Sequence, residues 1–106
     1  MLNLLSIILA VQAATLTVDR YGSGDHLTIQ AAIDSAIDGD TISVLPATYF
    51  ESIDFLGKAI EVVSTSGAAV TKINGLGNTT NGVTFSTAET ALSILDGFSI
   101  EMRTEK

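Results

Sequence analysis

A chain of 106 residues has room for one domain, and with no Cys it can build neither a disulfide framework nor a thiolate metal site. The net charge is −7, and the five basic residues stand singly at Arg20, Lys58, Lys72, Arg103 and Lys106. With no basic patch, no Trp and only six other aromatics, the composition argues against nucleic acid as a partner.

The opening MLNLLSIILAVQAA differs from the rest. Leu2 to Val11 is apolar except at Asn3 and Ser6, and Val11-Gln12-Ala13 puts small residues where a signal peptidase reads. Residues 1–13 are therefore expected to be a secretory signal peptide, cut after Ala13 or Ala14, although only the terminal amine supplies charge ahead of the apolar run. The run is too short to span a bilayer. The mature chain is expected to be secreted, periplasmic or at the cell surface, with no membrane partner.

Thr15 to Val18 alternates and reads as a first strand. Arg20 to Asp25 is a loop, since two Gly within three residues destroy periodicity. Thr28 suits a helix N-cap, and Ile29, Ile33, Ala36 and Ile37 form one helical stripe that Gly39 closes. Asp34, Asp38 and Asp40 crowd the negative end of that dipole, so a docked face and not charge should hold the helix. Thr41 to Val44 is a strand that Pro46 ends. Short alternations follow at Ile53/Phe55, Ile60/Val62, Val70 to Ile73, Val83/Phe85, Leu92/Ile94 and Phe98/Ile100/Met102. Buried positions are expected at Ile29, Ile33, Ile37, Ile42, Val44, Ile60, Val62, Val83, Phe85, Phe98 and Ile100. Solvent-facing ones are expected at Asp34, Ser43, Asp54, Glu61, Thr84 and Glu101.

Apolar pairs recur at intervals of 18 (60 − 42) and 23 (83 − 60), a period near 20 that suggests a solenoid of short strands. A β-sandwich would want longer strands. The expected fold class is an all-β solenoid, a right-handed parallel β-helix of about three rungs with an N-terminal capping α-helix. Residues 14–45 would hold the first strand and the cap helix leading into the first rung, and residues 46–106 the rungs.

Several segments carry a family resemblance: Thr28-Ile29-Gln30-Ala31-Ala32-Ile33-Asp34, Asp38-Gly39-Asp40-Thr41-Ile42, Pro46-Ala47-Thr48-Tyr49-Phe50-Glu51 and Ile53 to Ile60. With Val83 to Ser86 and Leu95 to Ile100, they resemble the N-terminal segment of a secreted right-handed parallel β-helix protein of the pectin-lyase-like superfamily. The resemblance covers about residues 15 to 102 and implies a fold more than an activity. Ala47 stands where the family turn usually has Gly, so that turn must avoid positive φ or carry strain. Family enzymes place their catalytic residues on middle rungs, so the resemblance assigns no catalytic residue here.

Individual constellations give the same result. Asp38 and Asp40 flank a Gly as hard-cation ligands can, but a helix stop and strand start explains them. Asn74, Asn78 and Asn81, with Gly75, Gly77 and Gly82, read as a turn. Glu51, Asp54 and Glu61 could supply a carboxylate pair, but alternation places Asp54 and Glu61 on a solvated face. His26 reads as a surface loop residue. Tyr49 and Phe50 could stack on a sugar ring, though one of them must fill the core. No catalytic, cofactor-binding or metal residue is assigned, and no cofactor is expected. The expected role is a secreted scaffold or a surface or carbohydrate-facing module with polysaccharide as partner. The alternatives are the leading piece of a pectin-degrading lyase, esterase or hydrolase whose active rungs lie beyond residue 106, and a short protein that self-associates end to end.

Overall fold

A computed structural model describes residues 13–75, 83–84 and 93–101. The element order is β1 (Thr15–Val18), α1 (Ile29–Ser35), β2 (Thr41–Val44), β3 (Ala47–Phe50), β4 (Ile53–Asp54), β5 (Glu61–Ser64), β6 (Thr71–Asn74), β7 (Val83–Thr84), β8 (Ile94–Asp96) and β9 (Ser99–Glu101). Every strand pairing is parallel. Three sheets result, ordered β1-β2-β5-β8, β3-β6-β9 and β4-β7. Parallel neighbours need crossovers, and here each connection from one strand to its neighbour passes through the other sheets or through α1.

The expected all-β solenoid, a right-handed parallel β-helix of about three regular rungs, is corrected. The described chain is a set of three small parallel sheets with one short helix. Thr15 pairs with Thr41, Thr41 with Glu61 and Glu61 with Ile94, giving unequal steps of 26 (41 − 15), 20 (61 − 41) and 33 (94 − 61) residues. The period near 20 came from apolar pairs that are not structural counterparts. Ile42 stands beside Val62, not Ile60, and Val83 stands beside Ile53 in a different sheet. Alternation marks short strands well but is blind to which strand pairs with which.

The core follows the inward positions of these strands and the helix stripe. Val18, Ile29, Ala32, Ile33, Ala36, Ile42, Val44, Tyr49, Ile53, Phe55, Ile60, Val62 and Ile73 are buried in one cluster. Leu16, Ala47, Val83, Leu95 and Phe98 pack against it partly covered. Several expected positions differ. Ile37 is exposed, because the helix ends at Ser35 and Ala36 is already extended. Gly39, with φ 94°, makes the turn into β2 and does not close the helix directly. Ile94 is exposed and Leu95 turns inward, one residue out of phase with the expected Leu92/Ile94 alternation. Val83 and Phe98 are half-buried, and Ile100 is exposed. Asp34 and Glu101 face solvent, while Ser43, Asp54 and Glu61 are half-buried. Ala47 opens β3 without positive φ; Leu56 is the one non-glycine in that region among the described residues, at 60°. The apolar leader through residue 12, Asn78, Asn81, Thr84's side chain, Phe85, Leu92, Met102 and Arg103 to Lys106 lie outside the described residues. Among the described residues, no helix is long and apolar enough to cross a membrane.

A seven-residue helix is unstable alone, since nucleation costs more than so few hydrogen bonds return. Both its ends are held by distant side chains. At the N-terminus the Glu51 carboxylate accepts the Ile29 and Gln30 N–H groups, each at 2.9 Å, and the Thr28 hydroxyl accepts that of Ala31 at 3.1 Å. At the C-terminus the Lys58 ammonium donates to the carbonyls of Ile33 (2.7 Å), Asp34 (3.0 Å) and Ala36 (2.7 Å). Carboxylate at the positive end and ammonium at the negative end both oppose the helix dipole favourably.

Segment 19–30 also covers the leading edge of each sheet. On β1, Thr17 accepts from His26 N–H and donates its own N–H to the Asp25 carboxylate, and Asp19 N–H donates to His26 O. This close approach requires Gly24, because a Cβ there would stand 2.9 Å from Thr17 O. On β3, the Arg20 guanidinium donates to Thr48 O. On β4, the Gln30 amide pairs with Asp54 as a strand would, accepting its N–H at 2.7 Å and donating to its C=O at 3.1 Å. Sheet edges left open invite foreign strands; β1 and β4 are each paired through an N–H and a C=O, and β3 is met at one carbonyl.

Candidate functional site

Asp38, Asp40, Glu51 and Asp54, which could have carried chemistry, are engaged in holding backbone. Asp40 accepts from Ala14 N–H through one oxygen and from Ile37 N–H through the other, at 2.9 and 3.0 Å. Asp38 accepts from Ala59 N–H at 2.9 Å. The pair thus holds the turn ahead of β2, beyond the end of α1, to Ala14 and Ala59. Among the described residues, an open hollow of about 610 Å³ beside Asp38, Asp40 and Glu61 has no aromatic wall. Asp54 accepts from Leu56 N–H at 2.9 Å, shaping the turn that carries Leu56. His26 is half-buried and lies 3.2 Å from the Ser35 hydroxyl, so it ties the loop to α1. Among the described residues, no group of three His, Asp or Glu is placed to hold a metal ion.

The surface that stands out lies where the 19–28 loop meets the end of β3. The strand alternates there, so Tyr49 points in and Phe50 points out. Tyr49 is buried and its hydroxyl donates to Leu45 O at 2.8 Å. Burial pushes its phenol pKa above the ordinary value. Phe50 is left 50 % exposed, which settles the choice between the two rings left open by the sequence. Tyr21, next to Arg20 in the chain, is 76 % exposed. The Arg20 guanidinium carbon lies 5.3 Å from the Phe50 ring centroid and 5.6 Å from that of Tyr21, within cation–π range of both. A shallow groove of about 250 Å³ runs beside them, lined by Arg20, Leu27, Thr28, Tyr49, Phe50 and Glu51.

The loop that carries Tyr21 is built around Asp19. Its carboxylate accepts the Ser23 hydroxyl, the Tyr21 N–H at 2.9 Å and the Ser23 N–H at 3.3 Å. The Ser23 hydroxyl first, then the Tyr21 N–H, hold the Asp19 carboxyl below its ordinary pKa. Asp25 is lowered in the same way by the Thr17 N–H and then the Thr17 hydroxyl. Tyr21 was not readable as a site residue, because the loop has no period and nothing in it announces which side chain ends beside Phe50. Arg20 likewise read as an isolated charge. No family model, curated protein or solved structure matches the chain.

Proposed function

We propose that the chain is a non-catalytic surface module that faces carbohydrate outside the cytoplasm. The observation that carries this reading is the pair of exposed rings, Tyr21 and Phe50, both within cation–π reach of Arg20, with Phe50 and Arg20 lining a shallow groove. Exposed flat rings offer the C–H face of a sugar an apolar surface. The apolar leader, read as a signal peptide, supports a place outside the cytoplasm.

Affinity electrophoresis of the intact chain through gels containing soluble polysaccharides tests the proposal. Retardation by at least one polysaccharide, relieved by Phe50→Ala or Tyr21→Ala with unchanged melting temperature, is the expected result. Free migration in every gel would refute it.

A further inference from the structure

We propose that the groove beside Tyr21 and Phe50 selects a neutral sugar ring over a uronate, an inference that rests on the carbohydrate-facing reading. A cation beside two aromatic rings at first suggests an acidic ligand, but the geometry of Arg20 opposes that. Its guanidinium lies near the rings of both Tyr21 and Phe50, and one nitrogen donates to Thr48 O. Recognition of a carboxylate uses the guanidinium's two-pronged edge, and here part of that edge already closes β3.

The rest of the groove sets an exposed apolar side chain, Leu27, beside two polar groups, Thr28 and Glu51. Each Glu51 oxygen accepts one backbone N–H and keeps further acceptor capacity. The Thr28 hydroxyl accepts the Ala31 N–H and still has its own hydrogen to donate. Sugar hydroxyls can serve both partners, whereas a ligand carboxylate would face the Glu51 charge. Asp19, next to Arg20 in the chain and bonded through three donors of its own loop, adds a second negative group nearby. Beyond the groove the chain carries a net charge of −7, which repels a polyanion most strongly at low salt. The groove volume of about 250 Å³ falls below the roughly 300–1,000 Å³ of clefts for drug-sized ligands, which suits one ring and not a long enclosed segment.

The test measures binding of the intact chain to soluble β-glucan, xylan, mannan and polygalacturonate at low and moderate salt. Expected is binding to at least one neutral polymer, unchanged by salt, with Phe50→Ala and Tyr21→Ala each weakening it about 3- to 10-fold. Polygalacturonate should bind at least about 10-fold more weakly, the gap narrowing as salt rises. Preferential binding of polygalacturonate, weakened by salt and by Arg20→Gln, would overturn the neutral-ring inference and leave the carbohydrate reading standing. Binding to none of the four would overturn the carbohydrate reading itself, and the inference with it.

Discussion

The two ends of the sheet stack differ in how their outermost strands are treated. At the leading end, β1, β3 and β4 are met by the His26 backbone, the Arg20 guanidinium and the Gln30 amide. At the trailing end, β8 and β9 are the last strands of their sheets among the described residues, and Ile100, in the inward column of β9, is 43 % exposed. The same strand type is therefore met at one end by polar groups from a loop and a helix, whereas at the other an inward-column side chain, Ile100, is left in water. A strand edge is a surface in its own right, and its cost depends on what the rest of the chain lays over it.

That contrast predicts where substitutions hurt. Ile33 is fully buried beneath the helix that covers the leading end. Ile33→Asp should cost more than about 3 kcal/mol by placing an unpaired charge in the core. An unchanged melting temperature would mean that α1 is not docked as described.

Lys58→Met should come next, at about 2–3 kcal/mol, since it removes one ammonium from three helix carbonyls while keeping most of the side-chain length. Urea denaturation would measure the loss. Hydrogen exchange at Ala36, whose N–H bonds the last helical turn, should accelerate with it. If Lys58→Met leaves both unchanged, the helix is held by packing alone.

Gln30→Leu should cost about 1–2 kcal/mol, because it leaves the N–H and C=O of Asp54 without the amide that closes β4. Gln30→Glu should recover little, since a carboxylate can accept the N–H but cannot donate to the carbonyl. The two variants compared by denaturation separate closure of the edge from simple packing.

Much of the strand pattern could be read directly. Val18, Ile42, Val44 and Val62 alternate as their burial does, and Thr28 caps α1. The choice between Tyr49 and Phe50 was visible as a choice. The closing contacts were not, because Glu51 reaches α1 from 21 and 22 residues away and Lys58 from 22 to 25. Local patterns record which face a residue takes, whereas a cap from another element depends on the crossover that returns it. Strand partnership fails to show for the same reason: alternation is identical whether Ile42 lies beside Ile60 or Val62.

Acid should act first on the leading end. The Asp19 and Asp25 carboxyls, held below their ordinary value of 3.8, organise the loop that closes β1. A carboxyl whose folded pKa is depressed stabilises the fold fully above its unfolded pKa and loses that contribution as pH falls through the folded one. Stability should therefore be flat on this account above about pH 5 and decline below 3.8, and Asp19→Asn or Asp25→Asn should flatten the decline. Melting temperature against pH for the three proteins checks the sign. Tyr49, shifted upward, should weaken the fold only above pH 10.0, as its phenol ionises more readily in the unfolded chain.

The smallest expected effect gives the cleanest comparison of the two ends. Ile73 of β6 and Ile100 of β9 stand side by side in register, so both belong to the same column of side chains. Yet Ile73 is 0 % exposed and Ile100 is 43 % exposed. Shortening each to Val removes the same methylene from the same residue type in neighbouring strands, and Val keeps the β-branch, so strand propensity nearly cancels. What differs is cover. Ile73→Val should cost about 0.5–1.5 kcal/mol, the range for a buried Ile→Val, because the lost atom leaves a gap in packed surroundings. Ile100→Val should stay within about 0.5 kcal/mol, as expected for a surface change. Equal losses in urea would show that Ile100 is covered in solution, and the contrast between a closed leading end and an open trailing one would then fail at β9.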